Sequence, residues 1–73
     1  MSRIPYDKAL QWAGCGLSRD VIEDMIKVPV CEVGSRLFVP DRNVFINLTD
    51  YVIVCKEIYW WVVTEEVFKA LYR

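Results

Sequence analysis

The apolar pattern of this chain changes period once, at Pro29, and that change limits the folds open to it. Upstream, Val21, Ile22, Met25 and Ile26 fall on one face of a helix, while Arg19, Asp20, Glu23 and Asp24 take the other. Downstream, Cys31, Val33, Leu37 and Val39 alternate with Glu32, Arg36 and Phe38, the period of a strand. Gly34-Ser35 breaks that run as a hairpin turn. A helix that feeds directly into a β-hairpin points to a small α+β domain.

The helix boundaries follow from local chemistry. Ser18 suits the N-cap, its hydroxyl accepting from a backbone N–H two or three residues on. Leu17, just before it, is placed to pack on Ile22 as a hydrophobic staple. Pro29 forces an end near Lys27, so the predicted helix covers 18–27. Further upstream, Pro5 suits a first helical turn, and Ala9, Leu10, Trp12 and Ala13 form an apolar stripe. Gly14 and Gly16 stop that stripe. The spacing predicts a first helix over 5–13, and two short helices joined by a glycine-containing turn make a helix-turn-helix.

After a second turn at Pro40-Asp41-Arg42-Asn43, residues 44–47 begin as a strand. Two readings then stand. In the first, Asn47 caps a helix from Leu48 to about Trp60, with Asp50 favouring its dipole. In the second, the β-branched and aromatic content makes a meander of 44–47, 51–55 and 58–63. Thr64-Glu65-Glu66 starts a final helix with an apolar face of Val67, Phe68, Leu71 and Tyr72, and with Lys69 and Arg73 toward its C-terminus.

Seventy-three residues make one domain, 1–73, stabilised by only a few kcal/mol, about 3–5. Apolar residues are 55% of the chain, more than one copy is expected to bury, which points to a partner or to self-association. Nine Lys and Arg stand against ten Asp and Glu, a net charge of −1, where a DNA-binding domain is usually basic. The three cysteines, Cys15, Cys31 and Cys55, form no CxxC pair and there is no histidine, so neither a zinc site nor a disulfide scaffold is expected. They read as small, mostly buried thiols in a reducing cytoplasm. Arg3, Asp7 and Lys8 interrupt any signal-peptide pattern at the start. The apolar runs at 51–55 and 58–63 are too short to span a membrane. No general base serves a Cys or Ser nucleophile and no glycine-rich phosphate loop occurs, so no enzyme, cofactor or metal is expected.

The order "IPYDKALQWAG", "LSRDVIEDMIK", "VPVCEVGSRLFVP", "VFINLTDY" resembles the Cox and excisionase proteins of temperate phages. The resemblance covers Ile4 to about Tyr51. It implies a winged helix-turn-helix that binds double-stranded DNA, directs prophage excision and represses a promoter in the cytoplasm of a bacterial host. Carried over, Ser18, Arg19 and Glu23 lie on the base-facing side of the recognition helix, with Lys27 at its end. Ser35 and Arg36 sit at the wing tip. Arg19 is placed for a bidentate guanine contact, and Arg36 and Arg42, near turns, for phosphate or the minor groove. The chain departs from the family in its acidic recognition helix and in lacking a spacer between Lys27 and the wing. Tyr59, Trp60 and Trp61 lie outside the match and are candidates for homo-oligomer or partner contact. The alternative is a phage-encoded inhibitor that binds a host protein, such as a CRISPR or other defence component, through acidic and aromatic surfaces.

Overall fold

The computed structural model describes residues 4–56 and 59–72. Expectations placed on Arg3, Glu57, Ile58 and Arg73 lie outside these residues. The elements run β1 (Lys8–Gln11), α1 (Gly16–Ile26), β2 (Cys31–Val33), β3 (Arg36–Val39), β4 (Val44–Ile46), β5 (Tyr51–Cys55), β6 (Tyr59–Val63) and α2 (Glu65–Val67), which continues as a π-helical segment, Phe68–Tyr72. Two antiparallel sheets form, ordered β1-β5-β6 and β2-β3-β4.

The helix predicted over 5–13 is instead strand β1. It pairs with β5 from Lys8↔Val54 to Gln11↔Tyr51. Further bonds follow, from Trp12 N–H to Asp50 O at 2.8 Å and from Thr49 N–H to Trp12 O at 3.0 Å. A few helix-forming residues are a weak local preference, and a sheet edge supplied by a distant strand outweighs it. Among the described residues one helix therefore precedes the hairpin, not two.

The helix α1 begins earlier than predicted, with Cys15 as N-cap and no side-chain cap bond. Ser18 lies inside its first turn and its hydroxyl donates to Cys15 O at 3.0 Å. Leu17 is 76% exposed, so it staples nothing. The C-cap Lys27 has φ 61, and its N–H closes the helix on Glu23 O at 2.9 Å. Gly14 makes the entry to α1 possible. Its φ is +82, and a Cβ there would meet Leu48 Cδ1 at 3.1 Å.

The hairpin forms where the sequence placed it, with Gly34 at φ +64 in the turn and Val33 paired to Arg36. Between 48 and 60 the meander wins over the helix: β5 pairs with β6 from Tyr51↔Val63 to Cys55↔Tyr59. The "NLTD" stretch is a tight turn rather than a cap. Asn47 N–H donates to Asp50 Oδ2 at 3.0 Å and Asp50 N–H to Asn47 O at 3.0 Å, with Thr49 at φ 73. Thr64 caps α2 as expected, accepting Val67 N–H at 3.2 Å.

The core lies between the sheets and α1. Trp12, Ile22, Ile26, Leu37, Val39, Ile46, Val52, Val54 and Trp60 form one buried cluster. Burying such side chains contributes about 1.5–3 kcal/mol each before chain entropy is subtracted. Because successive strand residues alternate, Val52 and Val54 face this core while Tyr51 and Ile53 face away. That second face is covered by the C-terminal segment. Phe68 stacks on Tyr51 at 3.9 Å between ring centroids, and Trp61 Nε1 donates to Tyr72 Oη at 2.9 Å. Ile53 is consequently fully buried. Among the described residues no such layer covers the corresponding face of β2-β3-β4: Phe45 is exposed, with Phe38 at 4.9 Å and the Arg36 guanidinium 4.4 Å from its ring centroid. No helix among the described residues is long and apolar enough to cross a membrane.

Candidate functional site

The residues expected to read DNA are brought near one another only in part, and most are engaged within the fold. Arg19 leaves the solvent face of α1 and bridges toward β2. Its Nη2 meets Asp20 Oδ1 at 3.1 Å and its Nη1 meets Glu32 Oε1 at 3.4 Å. The bond to Asp20 and the surrounding acids hold its charge more firmly than usual, raising its pKa. Glu23 faces the following loop, where Oε2 accepts Val30 N–H at 2.9 Å. This bond ties the helix end to the start of β2 and satisfies a backbone donor beside the buried Val30. The side chain of Lys27 reaches the Asp24 carbonyl at 3.5 Å.

At the hairpin, the Ser35 carbonyl accepts Trp12 Nε1–H at 2.8 Å, which fastens the turn to the core tryptophan. Arg36 lies over Phe45, as described above. Arg42 sits 4.3 Å from the Trp60 ring centroid, and its Nη1 donates to the Trp60 carbonyl. A guanidinium held by stacking and a carbonyl bond is poorly placed to turn toward phosphate.

Three corrections follow for the other candidates. Trp60 is 6% exposed and belongs to the core, so it is no surface anchor. Trp61 is half-buried beneath Tyr72, and Tyr59 alone of the three is well exposed. The cysteines are not mostly buried: Cys15 and Cys31 are exposed and Cys55 half-buried, all three as free thiols. Ser18 acts on the first of these. Its hydroxyl stands 3.2 Å from Cys15 Sγ, and that contact, with the Ser18 backbone, holds the thiol below its ordinary pKa.

Two surfaces appear that the sequence did not reveal. A groove of about 410 Å³ runs between β4 and β6, lined by Arg42, Val44, Phe45, Trp61, Val62 and others. It continues past Asp50 and Thr64 into a depression bordered by Glu65 and Glu66. At the opposite end of the sheet, Lys8 and Lys27 line a smaller cleft with Asp7, Met25 and Val54. Asp7 in turn accepts Lys56 N–H, which draws a third lysine to that end. Both surfaces depend on strands far apart in sequence, so no local motif announces them. Among the described residues no cluster of His, Cys, Asp and Glu is arranged to hold a metal ion.

Comparison with known proteins adds no relative: no family model, no curated protein and no solved structure matches the chain.

Proposed function

We propose that this chain is a non-catalytic protein-binding domain. With the phage resemblance, the reading becomes an inhibitor directed at a host protein in the bacterial cytoplasm. One observation carries it: the solvent face of α1. That face presents Leu17, Asp20, Val21 and Asp24, exposed apolar side chains alternating with carboxylates; Arg19 pairs with Asp20 and Glu32, and Asp24 has no ion-pair partner among the described residues. Such a face repels phosphate, and nucleic-acid affinity depends on cations. Apolar side chains beside carboxylates suit a protein surface better.

The second reading is a DNA-binding regulator of the Cox and excisionase type with a winged helix. It draws support from the order of α1 and the β2-β3 hairpin, and from the cleft that gathers Lys8 and Lys27. On this reading the lysine end, rather than the arginines, meets the backbone of the duplex.

Fluorescence anisotropy of a labelled mixed-sequence duplex separates the two. At about 25 mM salt we expect no saturable binding at micromolar protein, where a phosphate-reading domain binds strongly. Saturable binding whose log affinity falls with log salt at a slope of about −2 or steeper overturns the protein-binding reading. Weakening of that binding in Lys8→Ala and Lys27→Ala then favours the second.

A further inference from the structure

The strand β6 has one edge against β5, and among the described residues no strand pairs with its other edge. Arg42 marks the free edge, because it donates to the Trp60 carbonyl from the side opposite β5. In an antiparallel pair, backbone groups alternate between the two sides of a strand. The N–H of Trp60 and both backbone groups of Val62 therefore point the same way as the Trp60 carbonyl, out of the sheet. Among the described residues no group bonds them from that side.

That edge forms one wall of the groove, with Val44 and Phe45 on the opposite side. Unpaired strand edges recruit extended segments through main-chain hydrogen bonds, and neighbouring pockets select the side chains. The charge of the groove is uneven. Beyond Thr64 it meets Asp50, Glu65 and Glu66. Lys69 faces Glu65 at 3.9 Å, whereas Glu66 has no ion-pair partner among the described residues.

We propose that the free edge of β6 and the groove beside it bind an extended segment of a partner protein. The segment is apolar where it meets Val44, Phe45 and Trp61, and basic where it reaches Asp50, Glu65 and Glu66. The inference rests on the protein-binding reading and names its surface. The segment adds a strand to the β1-β5-β6 sheet and pairs with both backbone groups of Val62 and with the Trp60 N–H, the Trp60 carbonyl staying with Arg42. Its basic end is held chiefly by Glu66, which the fold leaves exposed to solvent, beside the half-buried Asp50 and Glu65, which already accept Asn47 N–H and Gln11 Nε2–H.

The test uses the full chain, labelled with ¹⁵N, and a synthetic peptide of two lysines followed by alternating valine and threonine. We expect the largest amide shifts at Trp60 and Val62. Methylating the peptide nitrogen that faces Val62 removes one main-chain bond and should weaken binding about tenfold. Glu66→Gln and Glu66→Lys should weaken the lysine peptide progressively and leave a peptide with uncharged ends unchanged. Equal affinity for methylated and unmethylated peptides overturns the proposal. So does the absence of shifts along β6 at millimolar peptide, or their appearance at Cys31, Glu32 and Val33 instead. A concentration-dependent dimer with shifts along β6 assigns the edge to a second copy and equally overturns it. The duplex measurement decides the protein-binding reading separately, so failure of the groove and failure of that reading remain distinct.

Discussion

The Arg42 guanidinium lies over the ring of Trp60, 4.3 Å from its centroid, and donates to the carbonyl of the same residue. Through this contact the turn before β4 is fixed to the free edge of β6. Arg42 thereby joins two sheets.

Arg42→Ala removes both the ring contact and the carbonyl bond. We expect a loss of about 1–2 kcal/mol. For a domain of this size that lowers the melting temperature by about 5–10 °C. Circular dichroism on heating reads the change, and Arg42→Lys should recover only part of it, since an ammonium does not stack as a guanidinium does. An unchanged melting temperature in Arg42→Ala would mean that the contact contributes nothing to stability.

Lys27 occupies a left-handed backbone conformation, φ 61, at the C-cap of α1. Side chains resist that region and glycine does not. Lys27→Gly should raise stability by about 1 kcal/mol, visible as a higher urea midpoint with the same slope. A lower midpoint would show that the lysine contact to the Asp24 carbonyl outweighs the backbone relief.

Ser18 and Cys15 make a prediction about pH. The Ser18 hydroxyl and backbone lower the Cys15 pKa, so more thiolate is present at a given pH than for an ordinary exposed cysteine. Removing the hydroxyl in Ser18→Ala leaves only the backbone contribution. The pKa should rise, and the pH midpoint of iodoacetamide labelling should move upward. The measurement is best made with Cys31 and Cys55 replaced by serine. A midpoint that stays put or falls would exclude the hydroxyl as the cause.

Ile22 is fully buried, whereas Leu17 is 76% exposed. Ile22→Ala should cost about 2–5 kcal/mol, comparable with the whole stability of so small a domain. Leu17→Ala should stay within about 0.5 kcal/mol. Urea unfolding of the pair separates core from surface. A large loss at Leu17 would restore the staple that the sequence suggested.

These contrasts show which physical signals were local enough to read. The helix α1 was legible because Ile22 and Ile26 recur at helical spacing and are in fact buried. The hairpin was legible because Gly34 supplies the positive φ that its turn requires. The strand β1 was not, since its partner Tyr51–Cys55 lies some forty positions away and no residue within 8–11 encodes that pairing. The β5 segment was ambiguous for a related reason. Val52 and Val54 face the core while Ile53 is sealed by the C-terminal layer, so burial on both faces erased the alternation that marks a strand. The candidate site suffered most. Arg19, Arg36 and Arg42 were conspicuous in sequence as free cations. Their actual partners, Glu32, Phe45 and Trp60, are set by tertiary packing.

The arginine side chains themselves give the most direct test of the proposal that they hold the fold together and do not read phosphate. Their Nε–H signals can be followed by ¹⁵N NMR while duplex DNA is added at low salt. We expect the signals of Arg19, Arg36 and Arg42 to stay in place, with that of Arg42 keeping the ring-current shift of Trp60 throughout. Displacement of the Arg19 or Arg36 signal in proportion to added duplex, or loss of the Arg42 ring-current shift, would contradict the proposal and return the arginines to nucleic acid.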